Sequence, residues 1–254
     1  MKTTFEYQYG LVAVLDALGA SNYSDKEIHR FIRSREIVLD LLNEKVEDLE
    51  LDRDAVTTFT FNDTVLIVLN TGSEPATIKA ITSFFKLLRK FIVDSLENKI
   101  MFRGTVAEGG FYANDETNTV MGQAVTDAAA WYDKADWIGV HSTPRTSLVI
   151  SKWLATEERQ KMNLMIDYDV PMRSGGVVHA KVVNWPKGFF IRSISPCVAG
   201  QSPRAKVLEL LTEHQVPKGT ESKFENTLAF FDYAAQLEDK QQQKRPNRPT
   251  KARG

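Results

Sequence analysis

Two aspartates lie beside strand-like apolar runs, where a carboxylate is costly to bury without compensation. Asp16 follows the apolar residues 11–15, and Asp63 stands in an Asn-Asp turn between two β-branched runs within residues 57–69. Carboxylate oxygens suit Mg²⁺ or Mn²⁺, which proteins often bind together with substrate phosphates. The pattern therefore indicates either a divalent cation shared by both aspartates or, for each alone, a strand-end cap and an ordinary turn.

Composition narrows the class of protein. Of the 254 residues, 43% are hydrophobic, enough for a sizeable core. Residues 239–254 contain six Lys and Arg and one acid, which leaves 26 bases and 32 acids, a net charge of −6, for the rest. That charge disfavours specific nucleic-acid binding. A single cysteine excludes an intramolecular disulfide and a Cys-rich zinc site.

Hydropathy and local patterns predict where the chain resides and how it is divided. Neither a signal-peptide core nor an apolar run of membrane-spanning length is visible, so we expect a cytoplasmic protein without a membrane span. We expect a catalytic core over residues 5–150, an α/β extension packed on it over 151–238, and a basic, disordered tail over 239–254.

The predicted order of elements within the core is β-α-β-β-α-β-α-β, that of a ferredoxin-like α+β fold with additions. Ser24 and Glu27 form a capping box that opens the first helix, and Pro75 suits the first turn of the second. An Ala-rich pattern predicts a third helix over residues 123–136, followed by a strand over 137–141.

Four motifs in this order resemble the catalytic domain of the class III nucleotide cyclases. They are Asp16-Ala-Leu-Gly19, Phe61-Asn62-Asp63, the segment 102–109 that contains Arg103, and the helix start Gly122-Gln-Ala-Val-Thr126-Asp-Ala-Ala-Ala130. The resemblance covers about residues 5–150 and implies an antiparallel-rich sheet with helices on one face. It also implies nucleoside triphosphate as substrate and a homodimer with its sites at the interface.

The resemblance implies a role for each matching position. Asp16, Asp63 and the carbonyl of Ala17 would hold two Mg²⁺ or Mn²⁺ ions, and Arg103 would face the pyrophosphate leaving group. Arg103 has a second interpretation, as a buried strand arginine paired with a core carboxylate. Backbone N–H groups at a turn entering a helix could bind the β- and γ-phosphates; these belong to Leu18, Gly19, Ala20 and Ser21.

Departures from the family pattern concern the base and the transition state. Phe59 and Thr119 stand where purine cyclases read the base, and Thr126 and Ala130 replace the transition-state Asn and Arg. Lys134, Arg145 or another downstream base could replace the missing arginine. Retained aspartates with a changed base pocket resemble the bacterial pyrimidine cyclases of the Pycsar anti-phage systems. Phe59 would then fill the room that a smaller base leaves, unless it is an ordinary strand residue.

Three functions follow from these patterns. The first is a pyrimidine cyclase that makes a cyclic mononucleotide from UTP or CTP, with a separate effector protein that senses the product. The second is a catalytically inactive cyclase-like domain that binds nucleotide or protein. The third is another two-metal phosphoryl-transfer enzyme on a palm-like fold.

Overall fold

The computed structural model describes residues 6–20, 23–49, 51, 53–72, 77–156, 162–213 and 219–243. Its strands are β1 (Tyr7–Ala17), β2 (Val56–Phe61), β3 (Thr64–Asn70), β4 (Phe102–Asn114), β5 (Thr119–Gly122), β6 (Gly139–Ser142), β7 (Met165–Pro171) and β8 (Val177–Val183). Its helices are α1 (Asp25–Asp48), α2 (Ile78–Glu97), α3 (Gln123–Ala129), α4 (Pro144–Trp153), α5 (Pro186–Phe189), α6 (Pro203–Thr212) and α7 (Glu221–Gln243).

One sheet joins the described strands in the order β2-β3-β1-β4-β6-β8-β7, and β5 pairs with β4 as a side hairpin. Only the β4–β6 pair is parallel among these pairings. The first four strands, β1 to β4, lie in the order β2-β3-β1-β4, with α1 and α2 as the connections of a ferredoxin-like unit. The predicted α+β fold with an antiparallel-rich sheet is confirmed.

The two faces of the sheet bury different side chains, because successive strand residues point to opposite sides. On the first face, Leu11, Ala13 and Leu15 of β1 pack with apolar residues of α1 and α2. On the second face, Val12 and Val14 of β1 belong to a smaller cluster, called here the second-face cluster. Its other buried members are Phe59, Val68, Ala107, Phe111, Ala124 and Ala128. The long core helices thus cover one face, as predicted, and the short α3 lies on the other.

Helix α3 and strand β6 differ from their predicted bounds. The helix ends at Ala129 instead of continuing to residue 136, and the strand spans Gly139–Ser142 instead of 137–141. Ala135 forms a bridge with Met172, and the Asp136 N–H donates to the Pro171 carbonyl at 2.8 Å. Pairing with the end of β7 therefore takes the chain out of the helix that its Ala-rich composition favours.

The C-terminal extension shares the sheet and the core of the preceding residues. Strand β8 pairs with β6, and Phe230 and Phe231 of α7 are buried with Trp137 and Trp185 in the first-face core. Helix α7 continues to Gln243, so residues 239–243 are helical where the sequence predicted a disordered tail. Gln and Lys are good helix formers, which favours this continuation. Residues 244–254 lie outside the described residues.

Two further observations bear on the predictions. Helix α2 begins at Ile78, with the Thr77 hydroxyl accepting the Ala80 N–H as its N-cap, whereas the predicted start at Pro75 lies outside the described residues. In the part of the chain that the structure describes, no helix combines the length and apolar character needed to cross a membrane.

Candidate active site

The two aspartates lie side by side at one end of the strand pair β1–β3. Asp16 is the penultimate residue of β1 and continues the second-face row of Val12 and Val14. Asp63 lies in the two-residue turn between β2 and β3, and its carbonyl accepts the Ala17 N–H at 3.1 Å. The β1–β3 pairing places Asp16 opposite the residue after Asp63, so the two aspartates lie together at the same end of neighbouring strands, and their carboxylates interact electrostatically.

The turn that carries Asp63 is held from the helix side. Asn62 has a left-handed φ of 57°, a conformation that Asn tolerates better than most residues. Its carbonyl accepts a hydrogen bond from Arg35 Nη1 of α1 at 2.7 Å. The Arg35 guanidinium also lies 5.6 Å from the centre of the Phe31 ring, in a cation–π arrangement. Arg35 therefore joins α1 to the candidate site.

Arg103 is paired with Asp16 directly across the β1–β4 ladder. Its Nη2 and Nε donate to Asp16 Oδ2 at 2.9 and 3.2 Å, and its Nη1 donates to the Asp133 carbonyl at 2.9 Å. Gly104 keeps the strands close, because a Cβ there would lie 2.3 Å from the Val14 carbonyl oxygen. Arg103 thus adopts the carboxylate pairing that the sequence left open, and its contact with pyrophosphate stays a prediction.

The electrostatics of Asp16 reflect its burial and its neighbours. Burial raises the pKa of the Asp16 carboxyl above its usual range, and the hydrogen bonds and charge of Arg103 oppose that rise. The nearby carboxylates of Asp63 and Asp133 raise the pKa further. Three acidic groups thus act around one guanidinium, and an additional cation would favour the ionised form of Asp16.

The donor set fits a divalent cation that takes part of its coordination from a ligand. Asp16 and Asp63 offer hard carboxylate oxygens, the type that Mg²⁺ and Mn²⁺ prefer. Among the described residues, no three His, Cys, Asp or Glu side chains form a group able to hold a metal. Mg²⁺ is commonly bound by one or two carboxylates, with waters and substrate phosphates in the other positions, which matches this pair. The Ala17 carbonyl stays a predicted third donor.

The proposed phosphate-binding turn is only partly available. The Leu18 N–H already donates to the Met101 carbonyl at 2.8 Å, so Leu18 does not offer it to a phosphate in this conformation. Gly19 follows with a left-handed φ of 87°, which suits glycine, and Ala20 begins the approach to α1. Ser21 lies outside the described residues. Phosphate binding stays a prediction for this turn.

The two predicted base-reading positions differ in exposure. Phe59 is only 3% exposed and belongs to the second-face cluster, so its ring offers bulk under the surface. Thr119 begins β5 and is partly exposed; the preceding Asn118 donates from Nδ2 to the Thr60 carbonyl at 3.3 Å. This contact brings the β4–β5 hairpin to the strand of Phe59. Phe61, two residues beyond Phe59, is 75% exposed beside the turn.

The structure gives each of the two candidate replacements for the transition-state arginine a different neighbour. The Lys134 ammonium lies 5.0 Å from the centre of the Trp131 ring. The charge of Arg145 acts on Tyr9, seven residues before Asp16 on β1. Thr126 is exposed on α3. For all three residues, a role in the reaction stays a prediction.

Three residues that sequence reasoning missed lie around the Asp16–Arg103 pair. The Asp133 carbonyl accepts from both Arg103 and, at 3.5 Å, Arg173 Nη1 of the β7–β8 turn. Burial raises the pKa of the Tyr132 hydroxyl, and the Asp16 and Asp133 carboxylates raise it further, while its ring packs on the second-face cluster. The Ser-Gly-Gly sequence after Arg173 predicts a turn, but nothing in the sequence indicates that this turn reaches residue 133.

Comparison with known proteins finds similarity in solved structures only. No protein-family model matches the chain, and no curated protein matches it. The chain is similar to the adenylyl cyclase CyaB from P. aeruginosa, with 12% identity over 71% of this chain and 96% of that one and a TM-score of 0.44. It is also similar to the catalytic core of a rhodopsin-guanylyl cyclase with converted specificity, in complex with ATPalphaS, at 12% identity, 71% and 98% coverage and a TM-score of 0.46. A third similar structure is the guanylyl cyclase Cya2, with 12% identity over 70% of this chain and 93% of that one and a TM-score of 0.41.

Proposed function

We propose that this protein is a nucleotidyl cyclase that converts UTP, or CTP, to the 3′,5′-cyclic mononucleotide and pyrophosphate. The observation that carries the proposal is the adjacency of Asp16 and Asp63 at the same end of strands β1 and β3, with Arg103 as the cationic partner of Asp16. In the reaction the ribose 3′-oxygen, losing its proton to water, attacks the α-phosphorus. The bond from that phosphorus to the oxygen bridging it to the β-phosphorus breaks, and pyrophosphate leaves.

The chain's residues position and neutralise the triphosphate. Mg²⁺ or Mn²⁺, two per site, would lower the pKa of the 3′-hydroxyl and offset charge on the phosphates. Asp16 and Asp63 would hold these ions, with the Ala17 carbonyl as a further donor. Arg103 brings a guanidinium whose planar donors match phosphate oxygens as well as carboxylates. The N–H groups of the turn around Gly19 would contact the terminal phosphates.

Base selection would rest on Phe59 and Thr119. Because the Phe59 ring is packed in the second-face cluster, it acts as fixed volume that leaves less room for a purine. The Thr119 hydroxyl can donate or accept, so it suits either uracil O4 or the cytosine amine. We expect UTP to be a better substrate than CTP, and ATP and GTP to be poor substrates.

The assembly and the biological role are part of the same proposal. Two chains would form a homodimer in which each site takes its metal ligands from one subunit and base-side groups from the other. The cyclic product would act as a second messenger in anti-phage defence, sensed by a separate effector protein. This part rests on the resemblance of the sequence to pyrimidine cyclases.

A second candidate is a catalytically inactive cyclase-like domain that binds nucleotide. Two observations favour it: the family's transition-state arginine is Ala130 here, and the Arg103 guanidinium is engaged by Asp16 and the Asp133 carbonyl. Such a domain would bind a triphosphate in the presence of Mn²⁺ and release it unchanged.

The decisive experiment offers the purified protein UTP, CTP, ATP and GTP separately with Mn²⁺. Pyrophosphate release is measured, and the nucleotide product is identified by mass spectrometry, with EDTA as the metal-free control. We expect cyclic UMP or cyclic CMP in amounts equal to pyrophosphate. Binding without turnover would favour the inactive domain. Fastest turnover of ATP or GTP would remove the pyrimidine assignment while leaving the cyclase assignment.

A further inference from the structure

Arg103 and Asp16 form a largely buried pair in which one carboxylate oxygen receives two N–H groups. Nη2 and Nε both donate to Asp16 Oδ2, and the two side chains are 10% and 16% exposed. The remaining arm of the guanidinium is held by the Asp133 carbonyl. The three arms of Arg103 therefore all have protein acceptors, and Asp16 already has a cationic partner.

A second cation at Asp16 would face this guanidinium at short range. Like charges a few ångströms apart repel strongly, and more so where side chains are shielded from water. The charge of Arg103 therefore opposes any divalent cation that binds Asp16. If Arg103 moved away from Asp16, its guanidinium would need another anionic acceptor, because an unpaired buried charge is costly.

We propose that Arg103 is an internal competitor for Asp16, so that a divalent cation binds this chain weakly by itself and more tightly when a polyphosphate accepts the guanidinium. This inference rests on the metal site of the proposed function. The N–H donors of an arginine match phosphate oxygens as well as carboxylate oxygens. The Arg103 guanidinium can therefore donate to a nucleoside triphosphate while the Asp16 carboxylate binds the cation. Linkage then requires the cation and the triphosphate to raise each other's affinity by the same factor.

The test measures Mn²⁺ binding without turnover, from the loss of the free Mn²⁺ signal in electron paramagnetic resonance. Wild type is compared with Arg103→Gln, which removes the charge, and Arg103→Lys, which keeps it. Arg204→Gln is the matched control, because it removes an arginine paired with Asp232 between α6 and α7. Arg103→Met, which keeps the aliphatic stem, serves if the glutamine variant does not fold, as judged by its thermal unfolding.

Without nucleotide, Arg103→Gln is expected to bind Mn²⁺ about 10-fold more tightly than wild type, within the range usual for coupled sites. Arg103→Lys and Arg204→Gln are expected to bind it like wild type. Adding Asp16→Asn to Arg103→Gln should abolish the gain. Equal or weaker Mn²⁺ binding by both the glutamine and methionine variants, or an equal gain in the lysine variant, would overturn the inference.

A second measurement uses an α,β-methylene analogue of UTP, which cannot release pyrophosphate. The analogue should raise the Mn²⁺ affinity of wild type by a larger factor than that of Arg103→Gln, and equal factors would contradict the competition. The outcomes of these binding measurements can be distinguished from those of the turnover experiment. A chain that turns over no triphosphate can still show the gain, and a chain that cyclises UTP without the gain refutes the inference alone.

Discussion

Arg35 Nη1, on helix α1, donates a 2.7 Å hydrogen bond to the carbonyl of Asn62, the residue before Asp63. This contact joins the helix on one face of the sheet to the turn that carries a proposed metal ligand. A backbone contact of this kind acts on the position of the turn and leaves the carboxylate itself free. Arg35 is therefore a positioning residue in the proposed site.

Replacing Arg35 by Gln should loosen the Asn62–Asp63 turn and lower kcat for UTP by about 3- to 10-fold, which corresponds to the loss of one hydrogen bond of about 1 kcal/mol. The apparent Mn²⁺ requirement should rise with it, which a general loss of stability would not produce. Steady-state kinetics across Mn²⁺ concentrations measure both. Arg33→Gln, an exposed position on the same helix, is the control and should behave as wild type.

Asp16→Asn and Asp63→Asn should each reduce cyclisation by about 100- to 1000-fold or more, because each removes charge that would hold the cation and the phosphates. The shape of the side chain is kept, so far-UV circular dichroism should be unchanged. Asp167→Asn, which alters an exposed carboxylate paired with Lys181 on the β7–β8 hairpin, should retain activity. Near-wild-type turnover by either site variant would refute the metal assignment.

Phe59 should affect both stability and base preference. Because its ring is 3% exposed in the second-face cluster, Phe59→Ala should cost about 3–5 kcal/mol in the free energy of unfolding. The milder Phe59→Leu should still fold and should raise the rate with ATP relative to UTP in competition assays with all four triphosphates. Phe111→Leu, at a buried position of the same cluster, controls for lost packing. An equal shift in preference in both variants would remove the specificity role of Phe59.

A shared-site homodimer predicts complementation between two inactive chains. An Asp16→Asn chain mixed with an equal amount of a Thr126→Trp chain should recover about a quarter of wild-type activity, because half the dimers are mixed and each has one intact site of two. Since Arg103 contacts Asp16 of its own chain, Arg103→Gln should not complement Asp16→Asn. Sedimentation velocity measures the assembly, and an active monomer would contradict this arrangement.

His141 should make stability depend on pH. It is fully buried on β6, its Nδ1–H donates to the Gly104 carbonyl at 2.9 Å, and its Nε2 has no hydrogen-bond partner among the described residues. Burial lowers the pKa of His141 from 6.5 to about 4. Between these values the unfolded chain binds a proton that the folded chain rejects, so stability falls as pH drops from about 6.5 to 4, by about 3 kcal/mol in all.

Urea unfolding of wild type and His141→Asn from pH 7 to pH 4 measures the contribution of His141 to the pH dependence of the free energy of unfolding. The asparagine can still donate to the Gly104 carbonyl and does not titrate, so its stability should fall less over this interval. His179→Asn, at an exposed position of β8, is the control and should follow wild type. Parallel pH curves for wild type and His141→Asn would show that His141 does not set the slope.

The sequence alone determined the elements whose cause is local. Apolar runs with β-branched residues predicted β1 to β3, the capping box predicted the start of α1, and Asn62-Asp63 predicted a hairpin turn. From these, the α+β fold and the placement of Asp16 and Asp63 at strand ends could be predicted, because period-2 and period-3.6 patterns report which face is buried.

Tertiary structure decided whatever depends on contacts between distant segments. Helix α3 ends at Ala129, and residues 134–136 pair with residues 171–173 at the end of β7, a contact that no local propensity encodes. The same pairing brings Asp133 to Arg103, which lies 30 positions earlier. Arg103 meets Asp16, 87 positions away, only because the β1–β4 register sets them opposite each other. Spacing along the chain can predict which residues are able to bind a metal ion or a phosphate. Strand register and packing decide which partner neutralises a buried charge.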